Sequence, residues 1–281
     1  MSLFLGLVGN PVHHSRSPWI HHYFLKQMSL DGGYHLFELK ENEFEEGIRA
    51  MKLLGIHGFN VTVPYKEKIL PFLDELTPIA ARVGAVNTVV HQNGKWIGHN
   101  TDGEGFLASL RQSYKQVNNE SKILLLGAGG ASRGIYGALT HHLFSKVDIA
   151  NRSVPKMESL KEMKKDTTDT QILSLKEAEE KVGEYDVIIQ TTSVGMGKGS
   201  KDQIISLHNV SSKTIVCDIV YQPIETAFLK EAKRLNAQVL TGHGMLIYQA
   251  ALAFEQWTGK NVDATPLVKE LELILIGEQK C

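Results

Sequence analysis

The sequence predicts an α/β protein with two separate sheets, the second of them doubly wound. Three observations lead there. Through the first hundred residues short apolar runs alternate with helix-spaced patterns, as in a parallel sheet wrapped by helices. The alternation restarts at Ser121 and gives six further strands joined mostly by helices. The 281 residues also fit two domains at roughly 100–200 residues each.

In the first series, Leu3 to Val8 reads as a buried strand, and Pro18 to Met28 as a helix with proline in its first turn. Tyr34 to Leu39 is the next strand, Glu43 to Leu54 a helix, and Gly58 to Val63 a third strand. Asn93-Gly94 between the β-rich runs Ala85–His91 and Lys95–His99 signals a hairpin, so this sheet carries an antiparallel piece. In the second series, strands fall at Lys122–Leu126, Val147–Ala150, Gln171–Leu173, Val187–Gln190, Thr214–Ile219 and Gln238–Leu240. Helices follow Ser132 and fill Lys156–Lys165, Lys176–Val182 and Ile224–Leu235. The tail has only helices, Met245–Trp257 and Pro266–Ile276, and extends neither sheet.

Composition excludes several classes of function. With 42% hydrophobic and 22% charged residues the chain is neither disordered nor low-complexity. Thirty Lys and Arg against 31 Asp and Glu leave no basic excess for nucleic acid or a membrane surface. The two cysteines, Cys217 and Cys281, make neither a disulfide framework nor a zinc site. The paired histidines, His13-His14, His21-His22 and His141-His142, lack the three- or four-residue spacing of helical ligands; they read as surface or loop residues, and no metal is expected. Trp19, Trp96 and Trp257 read as packing residues. The N-terminus lacks a basic flank and meets Gly9-Asn10-Pro11 too early for a signal peptide, so a cytoplasmic protein is expected.

Two ends of the chain carry chemistry. The strand Lys122–Leu126 runs straight into Gly127-Ala128-Gly129-Gly130-Ala131-Ser132 and then a helix. Glycines there let the backbone approach a pyrophosphate, and the helix offers free N–H groups and a partial positive charge. Ser132 stands where a third glycine is usual, but the strand–turn–helix context marks a Rossmann-type dinucleotide site. The next strand ends in Asn151-Arg152-Ser153, with Lys156 close by and Asp148 inside the strand. A carboxylate at that end would repel a 2′-phosphate, whereas Arg152 pairs with one, so NADP is favoured over NAD.

The other candidates follow strands of the first series. Ser15 and Ser17, in the loop from Gly9 to Pro18, suit a carboxylate or a polyol; Ser17 before Pro18 equally fits a helix N-cap. Lys66 follows Asn60-Val61-Thr62-Val63-Pro64, and taken alone is an ordinary surface lysine. Asp102 lies between Asn100-Thr101 and Gly103, and taken alone is a turn aspartate at a strand end.

Together, these stretches resemble the shikimate dehydrogenase family, in order and over essentially the whole chain. The resemblance rests on Gly9-Asn10-Pro11, Ser15-x-Ser17-Pro18, Asn60-Val61-Thr62-Val63-Pro64-x-Lys66 and Gly84-Ala85-Val86-Asn87-Thr88. It continues through Asn100-Thr101-Asp102-Gly103, Gly127-x-Gly129-Gly130-Ala131, Asn151-Arg152-Ser153, Asp218-x-x-Tyr221-x-Pro223 and Gly244-Met245-Leu246-x-x-Gln249. The chain departs at Gln190, where the family often has Asn, and at Lys156, where some members have Arg.

The resemblance implies reversible, NADPH-dependent reduction of 3-dehydroshikimate to shikimate, a step of aromatic biosynthesis. It implies that Ser15 and Ser17 hold the substrate carboxylate and that Asn60, Thr62, Asn87, Tyr221 and Gln249 surround the ring. Lys66 and Asp102 would face the reacting oxygen, and either could handle its proton. On the cofactor side it implies Gly127 to Ala131, Asn151, Arg152, Ser153 and Lys156, with Thr191, Ser193, Ile219, Gly242 and Met245. It further implies a substrate domain over 1–103, an NADP domain over 104–242, and C-terminal helices, 243–281, that return to the substrate domain, with a cleft between the domains. A monomer or homodimer that binds a small-molecule substrate, and neither nucleic acid nor membrane, is expected. The glycines near 103–105 and 242–244 read as hinges, and 197–201 as a basic loop. A quinate/shikimate dehydrogenase of broader specificity and a non-catalytic NADP-binding regulator share these motifs; retention of both Lys66 and Asp102 speaks against the regulator.

Overall fold

The computed structural model describes residues 2–197 and 199–280; Lys198 of the basic loop and Cys281 lie outside the described residues. The chain divides into two compact units, one comprising Met1–Asp102 with Gln249–Ala264 and the other Gly103–Tyr248 with Thr265–Cys281.

The first unit is built on a six-stranded sheet. Its strands are β1 (Leu3–Gly9), β2 (Gly32–Glu38), β3 (Gly58–Val61), β4 (Glu75–Leu76), β5 (Thr88–Gln92) and β6 (Lys95–His99), in the order β2-β1-β3-β5-β6-β4. Strand β1 pairs in parallel with β2 and β3, whereas β5 runs antiparallel to both β3 and β6. The β5–β6 turn has Asn93 at φ 52° and Gly94 at φ 76°, the left-handed pair that a tight hairpin requires. The helices here are α1 (Ser17–Gln27), α2 (Phe44–Leu53) and α3 (Pro78–Val83). Phe44, Ile48 and Met51 put one stripe of α2 in a core with Phe59, Tyr65 and Trp96.

His21 corrects the surface reading of the paired histidines. Helix α1 buries Ser17, Ile20, His21, Phe24 and Leu25, a stripe at three- and four-residue spacing that includes His21 and leaves His22 outside. The imidazole stacks on Tyr34 with ring centres 4.3 Å apart and lies against Phe24, Phe254 and Trp257. Burial lowers its pKa to about 3, Asn60 acting in the opposite sense. The unfolded chain therefore binds a proton at pH values where the folded one does not. This histidine's stabilising effect is complete above about pH 6.5 and declines as pH falls toward 3. Between pH 7 and pH 5 the loss is about 2 kcal/mol. Denaturant unfolding of the wild type and His21→Phe at both pH values isolates it: the wild type loses that much more than the variant. An equal loss in both would contradict the neutral buried imidazole.

The second unit carries β7 (Lys122–Leu126), β8 (Lys146–Ala150), β9 (Ile172–Leu173), β10 (Val187–Gln190), β11 (Ile215–Asp218) and β12 (Gln238–Leu240). All pair in parallel, in the order β12-β11-β10-β7-β8-β9. The strand order reverses between β7 and β10, where an open α/β sheet binds its ligand. The α-helices that complete the chain are α4 (Asp102–Ser113), α5 (Gly130–His141), α6 (Val154–Lys161), α7 (Leu175–Glu180), α8 (Ala227–Arg234), α9 (His243–Thr258) and α10 (Thr265–Lys280).

Three features differ from expectation. Helix α4 occupies a stretch to which the pattern assigns only hinge glycines, and Asp102, read alone as a turn residue, opens this helix rather than closing a strand. A Cβ on Gly103 would lie 2.1 Å from the carbonyl oxygen of Gly134 in α5, so this glycine permits close helix packing. Helix α3 and strand β4 are too short to register in the sequence pattern. The tail, expected to return whole to the first domain, is divided. Trp257 Nε1 donates to Val89 O and Gln27 Nε2 to Asp263 O, keeping Gln249–Ala264 with the first unit. Helix α10 belongs with the second, where Gln222 Nε2 donates to Glu278 Oε2 and Glu272 acts on His243. Periodicity identifies a helix without identifying the surface it covers.

Candidate active site

In the first unit Lys66, Asp102, Asn87, Asn60 and Gln249 form one bonded group. After β3 the chain turns at Thr62–Pro64 and presents Lys66, whose carbonyl accepts from Val86 N at 2.8 Å. Lys66 Nζ lies 2.5 Å from Asp102 Oδ2, with the two side chains 17% and 7% exposed. Such a pair is largely shielded from water yet open enough to meet a ligand. Asn87 Nδ2 donates to Asp102 Oδ1 at 2.8 Å, so both carboxylate oxygens accept hydrogen bonds and the carboxylate is held in place. Asn87 Oδ1 in turn accepts from Thr101 N at 2.8 Å. Gln249 reaches the same group through Asn87 Nδ2 at 3.4 Å, and its carbonyl accepts from Thr101 Oγ1 at 3.1 Å.

The group continues beneath the neighbouring strands. Asn60 Nδ2 donates to Asn87 O and Thr88 Oγ1 at 3.1 and 3.0 Å, and Tyr34 Oη donates to Asn60 Oδ1 at 2.7 Å. Ser15 Oγ lies 3.1 Å from Ser17 Oγ and accepts from Ser17 N at 3.2 Å. Ser17 is the first residue of α1 and Arg16 holds the cap position, so the N-cap alternative for Ser17 falls away. Thr62 is half-buried over the end of β1, where only a glycine at position 9 leaves room for its methyl group.

Glu38 and Tyr34 escaped sequence reasoning. Glu38 Oε2 accepts from Val12 N at 2.8 Å and from His13 N at 3.3 Å, tying down the loop that carries the serines. The Val12 bond, then the His13 side chain, holds its carboxyl below the ordinary value. Neither residue belongs to a recognisable motif; Glu38 has only its position at the end of β2 to point to it, and Tyr34, inside the strand, has none.

The second unit gathers the nucleotide candidates. Gly127 has φ +121°, and a Cβ there would lie 2.5 Å from Thr191 Oγ1, so glycine is required. Around Gly129 a Cβ would meet nothing within 4 Å, which leaves open space in front of the α5 N-terminus. That combination of bare backbone and helix start fits a pyrophosphate. Ser132, in place of a third glycine, accepts from Gly129 N at 3.2 Å and lies 2.5 Å from Thr191 Oγ1, bracing the turn against the end of β10. Ala128 is buried, and Ala131 is half-buried in the first turn of α5.

A cavity of about 460 Å³ lies beyond β8 and β9, lined by Asn151, Arg152, Val154, Met157, Ile172, Ser174, Leu175 and Glu177. Ser153 holds the N-cap position of α6 without a side-chain capping bond, and Lys156 stands exposed in its first turn, outside the lining residues. Glu177, absent from the sequence reading, is fixed there as the partner of the Ser174 cap: Ser174 N donates to Glu177 Oε2 at 2.7 Å. The hydrogen bonds from Ser174 hold its carboxyl below the ordinary value. Ser193 lies in the loop after β10, and Ile219 directly follows β11. Gly242 packs so closely on Ile219 that a Cβ would come within 2.2 Å of its carbonyl oxygen, and Met245 is buried in the first turn of α9. Tyr221, grouped with the substrate candidates by resemblance, belongs to this second unit.

Comparison with known proteins agrees along the chain. Residues 7–89 match the family model described as the shikimate dehydrogenase substrate binding domain, and 109–227 that of shikimate / quinate 5-dehydrogenase. Residues 242–272 match the shikimate 5′-dehydrogenase C-terminal domain. The chain is 47% identical over 281 residues to the shikimate dehydrogenase (NADP+) of Oceanobacillus iheyensis, covering 99% of this chain and 100% of that one. Among solved structures it is similar to a shikimate dehydrogenase in complex with NADP+, with a TM-score of 0.90, 36% identity and 98% and 96% of the two chains covered. It is also similar to the Thermus thermophilus enzyme in complex with NADP(H) and shikimate, with a TM-score of 0.86, 32% identity and 96% and 98% covered.

Proposed function

The chain belongs to the shikimate dehydrogenase family, and from that premise we propose how its own residues carry out the reaction. The protein is an NADP-dependent oxidoreductase that interconverts 3-dehydroshikimate and shikimate. The observation that carries the site assignment is the shielded Lys66–Asp102 pair at 2.5 Å, backed by Asn87.

When bound, NADPH supplies the hydride that reduces the carbonyl carbon. The carbonyl oxygen then gains negative charge and needs a proton. Asp102, with both oxygens accepting hydrogen bonds, is the anchor rather than the donor. Lys66 has three N–H donors, of which one meets Asp102; another stabilises the oxygen and transfers its proton. In the reverse direction Lys66 takes the hydroxyl proton back. Ser15 and Ser17 hold the substrate carboxylate, while Asn60, Thr62, Asn87, Gln249 and Tyr221 contact the ring and its hydroxyls.

On the nucleotide side, the Gly127–Ala131 turn and the α5 N-terminus hold the pyrophosphate. Asn151, Arg152, Ser153 and Lys156 hold the adenosine end, and Arg152 pairs with the 2′-phosphate. Thr191, Ser193, Ile219, Gly242 and Met245 line the rest of the cofactor. No helix among the described residues is long and apolar enough to cross a membrane.

Nicotinamide absorbance, followed with shikimate or quinate crossed with NADP+ or NAD+, tests the reading. Turnover is expected to be fastest with shikimate and NADP+. Preference for quinate would favour the broader enzyme, and no turnover in any combination would sink the catalytic reading.

A further inference from the structure

Gln190 departs from the usual family residue, and Asp218 is a buried carboxylate with no part in the chemistry above. The two meet. Gln190 closes β10 and Asp218 closes β11, and they are register partners in the sheet. Both are almost wholly buried, at 1% and 2% exposure. Gln190 Nε2 donates to Val194 O at 2.9 Å and to Asp218 Oδ1 at 3.3 Å, while Gln190 Oε1 accepts from Thr192 N. Asp218 Oδ1 also accepts from Val220 N at 2.9 Å, and Oδ2 from Thr226 Oγ1 at 2.7 Å. One amide thus folds the loop after β10 around itself and reaches, through a carboxylate, the loop after β11. Those loops carry Thr191 and Ser193 on one side, Ile219 and Tyr221 on the other.

Burial pushes the Asp218 carboxyl up to about 6, against the pull of Thr226, Val220 and Gln190. A carboxylate is costly to hold in so dry a place, and an apolar residue would fill it without that cost. The hydrogen bonds it collects are what the position supplies.

We propose that Gln190 and Asp218 are a positioning pair that sets the two loops together, aligning the cofactor contacts of Thr191 and Ser193 with the substrate contact of Tyr221. The proposal rests on the role given to Tyr221 above. Neither member touches a ligand, so its loss acts through the binding of both.

The test is steady-state oxidation of shikimate by NADP+, with thermal melting as the check on folding. Gln190→Met keeps the side-chain length without the amide; Gln190→Glu keeps the acceptor for Thr192 and loses the donor. Each is expected to raise the KM of both ligands about tenfold, the lower end for a hydrogen bond to a charged group. Turnover is expected to change less than about threefold, as for lost uniform binding. Asp218→Asn keeps an acceptor for Val220 and Gln190, and is expected to do less damage to both constants than Asp218→Ala. A wild-type KM for NADP+ in either folded Gln190 variant overturns the pair, as does Asp218→Asn matching Asp218→Ala. In a parallel Tyr221→Phe arm, a wild-type KM for shikimate overturns instead the role given to Tyr221.

Discussion

Lys66→Ala is expected to cut turnover by about 10²–10⁴, the range for a group that donates a proton and stabilises developing charge. In the proposed mechanism the effect belongs in kcat, because the bonds that Lys66 would make to the carbonyl oxygen strengthen as charge builds there. The substrate's carboxylate and hydroxyls have other partners, so KM moves much less. Removing Lys66 also leaves Asp102 with Asn87 alone, in a site only 7% exposed. Lys66→Arg keeps a cation but swaps a compact ammonium for a planar fork, and recovers only part of the loss. Near-normal turnover in Lys66→Ala would remove this residue from the mechanism.

Arg152→Ala is expected to raise the KM for NADP+ about 10–50-fold while leaving that for NAD+ within about twofold. A charge-assisted bond to phosphate is worth roughly 1.5–3 kcal/mol, and exposure places Arg152 toward the lower end. The cofactor without a 2′-phosphate loses nothing when the guanidinium goes. Among the residues lining the cavity Arg152 is the cation and Glu177 the acid, so the proposed phosphate contact falls to Arg152. Equal changes for both cofactors would contradict the assignment. Lys156, exposed and outside the cavity lining, is expected to contribute less.

What was legible in the sequence was whatever depends on local pattern. The parallel strands announced themselves as unbroken apolar runs, such as Ile123 to Leu126, because both faces of the second sheet are covered. Asn93-Gly94 signalled the hairpin, and the glycine run after β7 signalled the turn into α5. What was hidden depends on contacts distant in the chain. Helix α4 drew no helical reading because Gly103 and Gly105 lower helix propensity, while the reason for Gly103 lies across the packing with α5. His21 read as a surface residue because its type is polar, although its spacing on α1 placed it inside. The division of the tail between the two units has no local signal.

The site followed the same rule. Lys66 and Asp102 were named from their motifs, but nothing in spacing alone showed that residues 36 positions apart would meet. Asn87 was expected to face the substrate, and its bond to Asp102 Oδ1 adds a second task, fixing the carboxylate. Glu38 acts on the serine loop through the backbone N–H groups of Val12 and His13, which carry no sequence signature, and through the His13 ring. The Gln190 substitution, by contrast, was visible as an oddity without a cause until its partner Asp218 was seen.

The central claim is that Lys66 and Asp102 work as one unit. A double-mutant cycle tests it most directly, comparing kcat/KM for shikimate in Lys66→Ala, Asp102→Asn and the double variant. The account predicts that the double variant is about as slow as the worse single one, because either change already disables the pair. Losses that multiply would mean that the two residues act independently, and would contradict the pair.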